Sequence, residues 1–134
     1  MPIVKNHYRL SFSDAILVHD EVLAISGGRA GIISEHGIRS ALDRPFSGYF
    51  HKIEDKGSAL LEAIVQNHGF ADGNKRTAVM LLLLFLERSG YALQPLQNEA
   101  ALYKSLEDLV VELAAGTRTK EHVRIWLKQR CYRV

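Results

Sequence analysis

The sequence predicts an all-α fold in a single domain, on three observations. Its 134 residues suit one hydrophobic core. Its apolar residues recur at helical spacing between glycines that can end helices, and only three prolines interrupt the chain. Its hydrophobic fraction of 47% and charged fraction of 24% are those of an ordinary globular protein. We therefore expect one domain over residues 1–134, built from about six helices with short connections.

The first predicted helix begins at a local cap. Ser11 to Asp14 has the pattern of a capping box, and the helix should end at about Ser26, where two glycines follow. The loop from Gly28 to His36 is rich in glycine. It lacks the glycine spacing and the lysine of a phosphate-binding loop, and no strand precedes it, so it indicates turns only.

The next segment should hold two helices separated by a flap. A short helix near 37–43 should stop before Pro45. Residues 44–53 are rich in aromatics without helical period, which favours either a small β-hairpin or an exposed flap. Asp55 is expected to cap a helix that runs to Asn67.

Three more helices are predicted in the second half of the chain. The helix over 74–89 is apolar on every side between 78 and 86, so it should be the central and most buried element. Asn98 is expected to cap a helix that stops at Gly116, and the last helix should start near Thr119.

The turn before the apolar helix combines a base with a carboxylate. His68 can take a proton from a hydroxyl because imidazole exchanges protons near neutral pH. Asp72 offers hard oxygen ligands, which suit a Mg²⁺ ion that also binds phosphates. Taken singly, a helix-capping histidine and an Asp-Gly turn would explain both residues.

The residues that follow can form an anion site. Gly73, Asn74 and Lys75 open the predicted helix, where the first N–H groups lack intrahelical partners and carry partial positive charge. The amide of Asn74 can assist, and Lys75 and Arg76 add full charges for phosphate. Cations are disfavoured at a helix N-terminus, so this pair indicates that an anion binds there. Phe70 is expected only to pin the turn. The set matches the needs of phosphoryl or nucleotidyl transfer.

The turn resembles the signature of the Fic/Doc family, specifically its Doc (death-on-curing) toxin branch, over His68-x-Phe70-x-Asp72-Gly73-Asn74-Lys75-Arg76. The resemblance covers residues 10 to 95 and includes His19-Asp20 and the segment Ser40 to Pro45. Adenylylating members of the family carry H-P-F-x-D/E-G-N-G-R-x-x-R. This chain has Gly69 in place of the proline, Lys75 in place of a glycine and Val79 in place of the second arginine. Gly73 also stands where the Doc branch more often has alanine.

The resemblance implies the toxin of a type II toxin–antitoxin pair, with ATP and Mg²⁺ as cofactors. It would be a kinase that moves the γ-phosphate of ATP to a Thr or Ser hydroxyl of a translation factor, with elongation factor Tu expected, and so arrests translation. His68 would be the general base, Asp72 would hold Mg²⁺, and residues 73–76 would bind phosphates. The flap would align the target peptide. Adenylylation of a protein and a catalytically silent module associated with an antitoxin or DNA are the alternatives.

The expected partners are a target protein and a separate Phd-like antitoxin. Family inhibition often uses a helix with S/T-x-x-x-E-G/N, which Thr117 to Glu121 followed by His122 matches incompletely. Residues 118–134 carry six basic residues and one acid, a pattern that usually forms a solvated face, so direct nucleic-acid binding is not expected. The single cysteine, and the absence of a signal-peptide core or an apolar span, favour a cytoplasmic protein without membrane association.

Overall fold

The computed structural model describes residues 7–134, so the predicted domain span includes six N-terminal residues that lie outside the described part. Six α-helices follow in chain order: α1 (Phe12–Ser26), α2 (Glu35–Asp43), α3 (Ile53–Asn67), α4 (Asn74–Arg88), α5 (Leu102–Ala115) and α6 (Lys120–Arg130). Two short strands, β1 (Tyr91–Leu93) and β2 (Cys131–Arg133), pair antiparallel. The predicted helical fold and its number of helices are confirmed. None of the helices in the described part is long and apolar enough to cross a membrane.

The most buried helix is α3, and the prediction that the apolar helix would hold this place is wrong. Ten residues of α3 are buried, against seven of α4. The reason is that α3 packs against α2, α4, α5 and α6, whereas one side of α4 reaches the surface. On that side Met80 is 38% exposed, and Leu83 and Leu84 are half-buried.

Local caps decide where most helices begin. The capping box at Ser11 is present, with its hydroxyl accepting from the Asp14 N–H. α2 begins two residues before its predicted start because the Ser34 side chain caps it. In α3 the predicted cap Asp55 lies inside the first turn, where its carboxylate accepts from the Lys52 N–H at 3.3 Å.

The segment 44–53 forms no strand. Of the two predicted alternatives, it is therefore the exposed flap and not the β-hairpin. Arg44–Phe46 makes one turn of 3₁₀-helix after α2, and bends follow it. Tyr49 is 86% exposed at the tip. The sheet lies elsewhere, because β1 and β2 join the residues that follow α4 to those that follow α6.

A buried ion pair ties the start of α5 to the end of α6. The Arg130 guanidinium, 7% exposed, donates from Nε and Nη2 to the two carboxylate oxygens of Glu99 at 2.9 and 2.6 Å. It also lies 4.3 Å from the Trp126 ring. Glu99 stands in a turn rather than inside a helix, and α5 begins at Leu102 instead of after the predicted cap at Asn98.

The basic C-terminal segment is partly neutralised within the protein. Arg118 pairs with Glu112 at 2.7 Å and Arg124 pairs with Glu121, in addition to the buried pair of Arg130. The surface therefore presents less positive charge than the sequence suggests.

Candidate active site

His68 is placed by the end of α3. Its backbone is left-handed, with φ 46° and ψ 50°. Between positions 7 and 134, it is the only residue other than glycine with a positive φ. This conformation ends the helix, and it costs a residue with a Cβ atom about 1 kcal/mol. The exposed side chain lines a cavity. Such strain at an exposed polar residue is characteristic of functional sites.

The loop between α1 and α2 braces the turn that follows His68. The N–H groups of Ile33 and Ser34 donate to the Gly69 carbonyl at 2.8 and 3.0 Å. On the other side the Ala71 N–H donates to the Gly31 carbonyl at 3.0 Å. These bonds make a short antiparallel bridge, so the glycine-rich loop is part of the site's scaffold.

Asn74 clamps the turn through its side chain. Its Nδ2 donates to the Phe70 carbonyl at 2.9 Å, and its Oδ1 accepts from the Phe70 N–H at 3.1 Å. Phe70 itself is buried at 2% exposure. One amide N–H of Asn74 is thus engaged inside the turn. Its second amide N–H and its backbone N–H are the donors that it can offer to an anion.

We expect Asn74→Asp to destabilise the fold by about 2 kcal/mol, because a carboxylate cannot donate to the Phe70 carbonyl. Chemical denaturation measures the change. Asn98→Asp is the matched control, since Asn98 is exposed in a turn, and it should alter stability by less than about 0.5 kcal/mol. Equal effects of the two variants would contradict the clamp.

The Asp72 carboxylate is held at both oxygens. Oδ2 accepts from the Arg29 N–H at 3.1 Å, and Oδ1 accepts from the Gly73 N–H at 2.9 Å. These two backbone bonds, with the nearby Arg29 guanidinium, keep the pKa of Asp72 below its usual value. Gly28 makes the approach feasible, because a Cβ atom there would lie 2.9 Å from Oδ2 and its φ of +117° suits only glycine.

A second histidine supports the site from α1. His19 is 3% exposed, its Nε2 lies 2.8 Å from the Asp72 carbonyl oxygen, and its ring stacks on Phe70 at 3.8 Å. In the sequence, His19 is linked to the site only by the family resemblance. Its spacing from the buried Ala15 and Val22, four and three residues away, places it on the inner face of α1 and could have indicated burial.

The N-terminus of α4 presents backbone N–H groups at the cavity. Gly73, left-handed at φ 75° and ψ 17°, is the N-cap and has no side chain to occupy the helix end. The first intrahelical bond runs from the Thr77 N–H to the Gly73 carbonyl at 2.9 Å. The N–H groups of Asn74, Lys75 and Arg76 precede it and are available to a ligand.

One cavity of about 490 Å³ brings the predicted residues together. Its lining includes His68, Asp72, Gly73, Asn74, Lys75 and Arg76. Lys75 and Arg76 are exposed, and Nη1 of Arg76 contacts the Ser26 hydroxyl at the end of α1. This volume is typical of a small-molecule site. Residues 117–121 do not line the cavity, and Glu121 pairs with Arg124 instead.

Asp72 is the one carboxylate among the described residues that line this cavity. Within residues 7–134, no cluster of three or more histidine, cysteine or acidic side chains could hold a metal by itself. Asp72 is exposed and its pKa is lowered, so it offers a carboxylate with unused lone pairs. Mg²⁺ accepts one carboxylate together with water and phosphate oxygens, so the site fits a Mg²⁺ ion that arrives with a nucleotide.

Two departures from the adenylylating pattern lie at buried positions. A Cβ atom at Gly69 would lie 2.4 Å from Cγ1 of Ile38, so a side chain there would overpack against Ile38. Val79 is 2% exposed in the core and does not line the cavity. Lys75 differs in being exposed at the cavity.

Gly69→Ala is expected to destabilise the fold by about 2 kcal/mol through this overpacking. The φ of Gly69 is not in the left-handed region, so the contact with Ile38, and not the backbone, is the cause. A double variant that adds Ile38→Ala should recover part of the loss, as a double-mutant cycle in thermal unfolding would show. Strict additivity would rule out the contact as the cause.

The chain is similar to known proteins. A family model described as "Fic/DOC family" matches residues 9–86, more than half of the chain. The chain is also similar to a protein named Toxin Doc of Mycolicibacterium smegmatis (strain ATCC 700084 / mc(2)155), with 35% identity over 75 residues. The match covers 48% of this chain and 58% of that relative, so the chain spans little more than half the relative's length. The matched segment contains the whole cavity turn from His68 to Arg76, and the protein belongs to the Fic/DOC family.

Proposed function

We propose that the protein is the toxin of a toxin–antitoxin pair and that it transfers the γ-phosphate of ATP to a hydroxyl of a target protein. The observation that supports this is the meeting of His68 and the N-terminus of α4 in one cavity. A base beside an anion-binding helix end is the minimum that phosphoryl transfer to a hydroxyl requires.

Each residue would have a defined task. His68 would accept the proton of the attacking hydroxyl. The N–H groups that open α4, with the Lys75 and Arg76 side chains, would bind the phosphates and stabilise the charge of the transferred group. Asp72 would hold Mg²⁺, which would neutralise part of the phosphate charge. The left-handed backbone of His68 fixes where its imidazole enters the cavity.

Phosphoryl transfer is favoured over adenylylation by two positions. Lys75 places a cation where adenylylating members have a glycine that admits a nucleotide phosphate to the backbone. Val79 removes the second arginine and lies in the core. The similarity to a protein named Toxin Doc supports the assignment as a toxin. Elongation factor Tu as the target and arrest of translation as the outcome are what the family resemblance implies.

The inhibitor would be a separate Phd-like protein. Residues 117–121 lie outside the cavity lining, and the Glu121 carboxylate is occupied by Arg124. The alternative of a silent DNA-associated module loses support, because three of the six basic residues near the C-terminus are paired within the chain.

The test uses ATP labelled at the α or the γ position, with elongation factor Tu and Mg²⁺. We expect label on the target only from γ-labelled ATP. Label only from the α position would replace the proposal by AMP transfer, and no transfer from either would refute both. Lys75→Gly should reduce γ-transfer, and Lys104→Gly is its control because that exposed lysine pairs with Asp108 away from the cavity.

A further inference from the structure

We propose that His19 is a positioning residue, which holds the Asp72 carboxylate in place through the peptide between Asp72 and Gly73. The geometry of this link stands without a ligand, but its consequence for nucleotide binding rests on the proposed function. His19 contacts Asp72 but does not itself line the cavity, and it touches no reacting atom of the proposed reaction.

Two contacts fix the imidazole of His19. A carbonyl oxygen only accepts hydrogen bonds, so Nε2 carries a proton and donates to the Asp72 carbonyl at 2.8 Å. The ring lies flat on Phe70, with centroids 3.8 Å apart and planes 10° apart. At 3% exposure, water does not readily replace this donor.

The peptide transmits this constraint to the carboxylate. Described peptides are all trans, so the carbonyl and the N–H of one peptide point in opposite directions. With its carbonyl held by His19, the peptide presents the Gly73 N–H to Oδ1 of Asp72 at 2.9 Å. The Arg29 N–H holds the other oxygen at 3.1 Å. The position of Oδ1 of Asp72 therefore depends on His19 of α1, and the link between them is the single peptide that joins Asp72 to Gly73.

The peptide between Asp72 and Gly73 needs a hydrogen bond to restrain it because glycine allows it to rotate. Gly73 has φ 75° and ψ 17°, and glycine accepts both signs of φ at little cost. If the peptide turned over, its carbonyl oxygen would face the carboxylate in place of the N–H and repel it. The same rotation would bring a carbonyl toward the N-terminus of α4, where phosphate is to bind. A donor from α1 prevents this rotation.

Two variants separate the donor from the packing. His19→Phe keeps an aromatic ring for the stack on Phe70 and removes the hydrogen bond. His19→Gln supplies an amide N–H at nearly the reach of Nε2 and loses the ring. His36→Phe is the matched control, since His36 is exposed on α2 and away from the cavity.

The first readout needs no nucleotide. In NMR spectra of the full chain, His19 should be the Nε2–H tautomer. The Gly73 amide resonance should move in His19→Phe and return toward its original position in His19→Gln. An Nδ1–H tautomer, or a Gly73 resonance unchanged in His19→Phe, would overturn the proposal.

The second readout is the affinity for Mg²⁺–ATP measured by calorimetry. His19→Phe should weaken binding about tenfold, the effect expected from one buried hydrogen bond, and His19→Gln should stay within about threefold of the parent. Equal weakening in both variants would show a packing role and refute the proposal. If the parent chain binds no nucleotide, the proposed function fails, and the NMR result alone decides the role of His19.

Discussion

His68→Ala is expected to lower the rate of γ-phosphate transfer about a thousandfold, the usual contribution of a general base. In the proposed function, the His68 imidazole, which lines the cavity beside the N-terminus of α4, is the proton acceptor. Phosphate binding by that helix end should persist, so the loss should fall on kcat more than on KM for ATP. Single-turnover kinetics with labelled ATP would separate the two.

Because the backbone of His68 is left-handed, a second variant is needed to separate loss of the imidazole from strain. Alanine at φ 46° is strained, and part of any loss could come from the turn itself. Asparagine adopts left-handed backbone more readily than other residues with a Cβ atom, so His68→Asn should keep the stability of the parent and be equally inactive. Activity above about a tenth of the parent's in His68→Asn would remove His68 from the role of base.

Glu99→Ala is expected to cost about 3 kcal/mol in the free energy of unfolding, because it leaves Arg130 buried without its counter-charge. The midpoint of thermal unfolding should fall by roughly 10 °C. Glu121→Ala is the control, since it breaks an exposed pair with Arg124 and should change the midpoint much less. Similar losses in both variants would contradict a special role for the buried pair.

The Glu99–Arg130 pair should also affect how the stability of the fold changes at acid pH. The hydrogen bonds from Arg130 lower the pKa of Glu99 to about 2, from a usual value of 4.5. A lowered pKa in the folded state stabilises the fold above the unfolded value, and this stability is lost as the pH falls from 4.5 towards 2. Stability measured over this window should therefore fall less steeply in Glu99→Ala than in the parent. Parallel curves would contradict the assignment.

Helix starts were predictable from sequence where the cap is local. Ser11 and Thr119 each cap a helix through bonds to residues three positions away, and both were identified. Asn98 is not the cap, since α5 begins at Leu102, and the neighbouring Glu99 pairs with Arg130, 31 residues away, a contact that no local pattern shows. The β1–β2 sheet was missed for the same reason, since it pairs residues about 40 positions apart and each strand has only three residues.

In the predicted site too, the features set by neighbouring residues could be predicted, and those set by distant residues could not. Residues 68–76 could be found because they are contiguous and open a helix, and the structure gathers them in one cavity, with Phe70 buried beside it. Their assignment to catalysis, phosphate and metal stays a prediction. His19 and Arg29, which hold Asp72, come from a distant segment that no local pattern connects to the turn. The use of the Asn74 side chain as a clamp was likewise invisible, because an amide suits an anion site and a turn equally well.

The two-stranded sheet determines where an appended segment would leave the protein. The Val134 N–H donates to the Gly90 carbonyl at 2.9 Å, next to the C-terminal end of α4, while the opposite end of that helix opens the cavity. At 1.5 Å per residue, the helix separates the two by about 20 Å. A tag, fluorophore or immobilisation linker attached at Val134 would therefore lie near the end of α4 opposite the cavity and leave the cavity accessible.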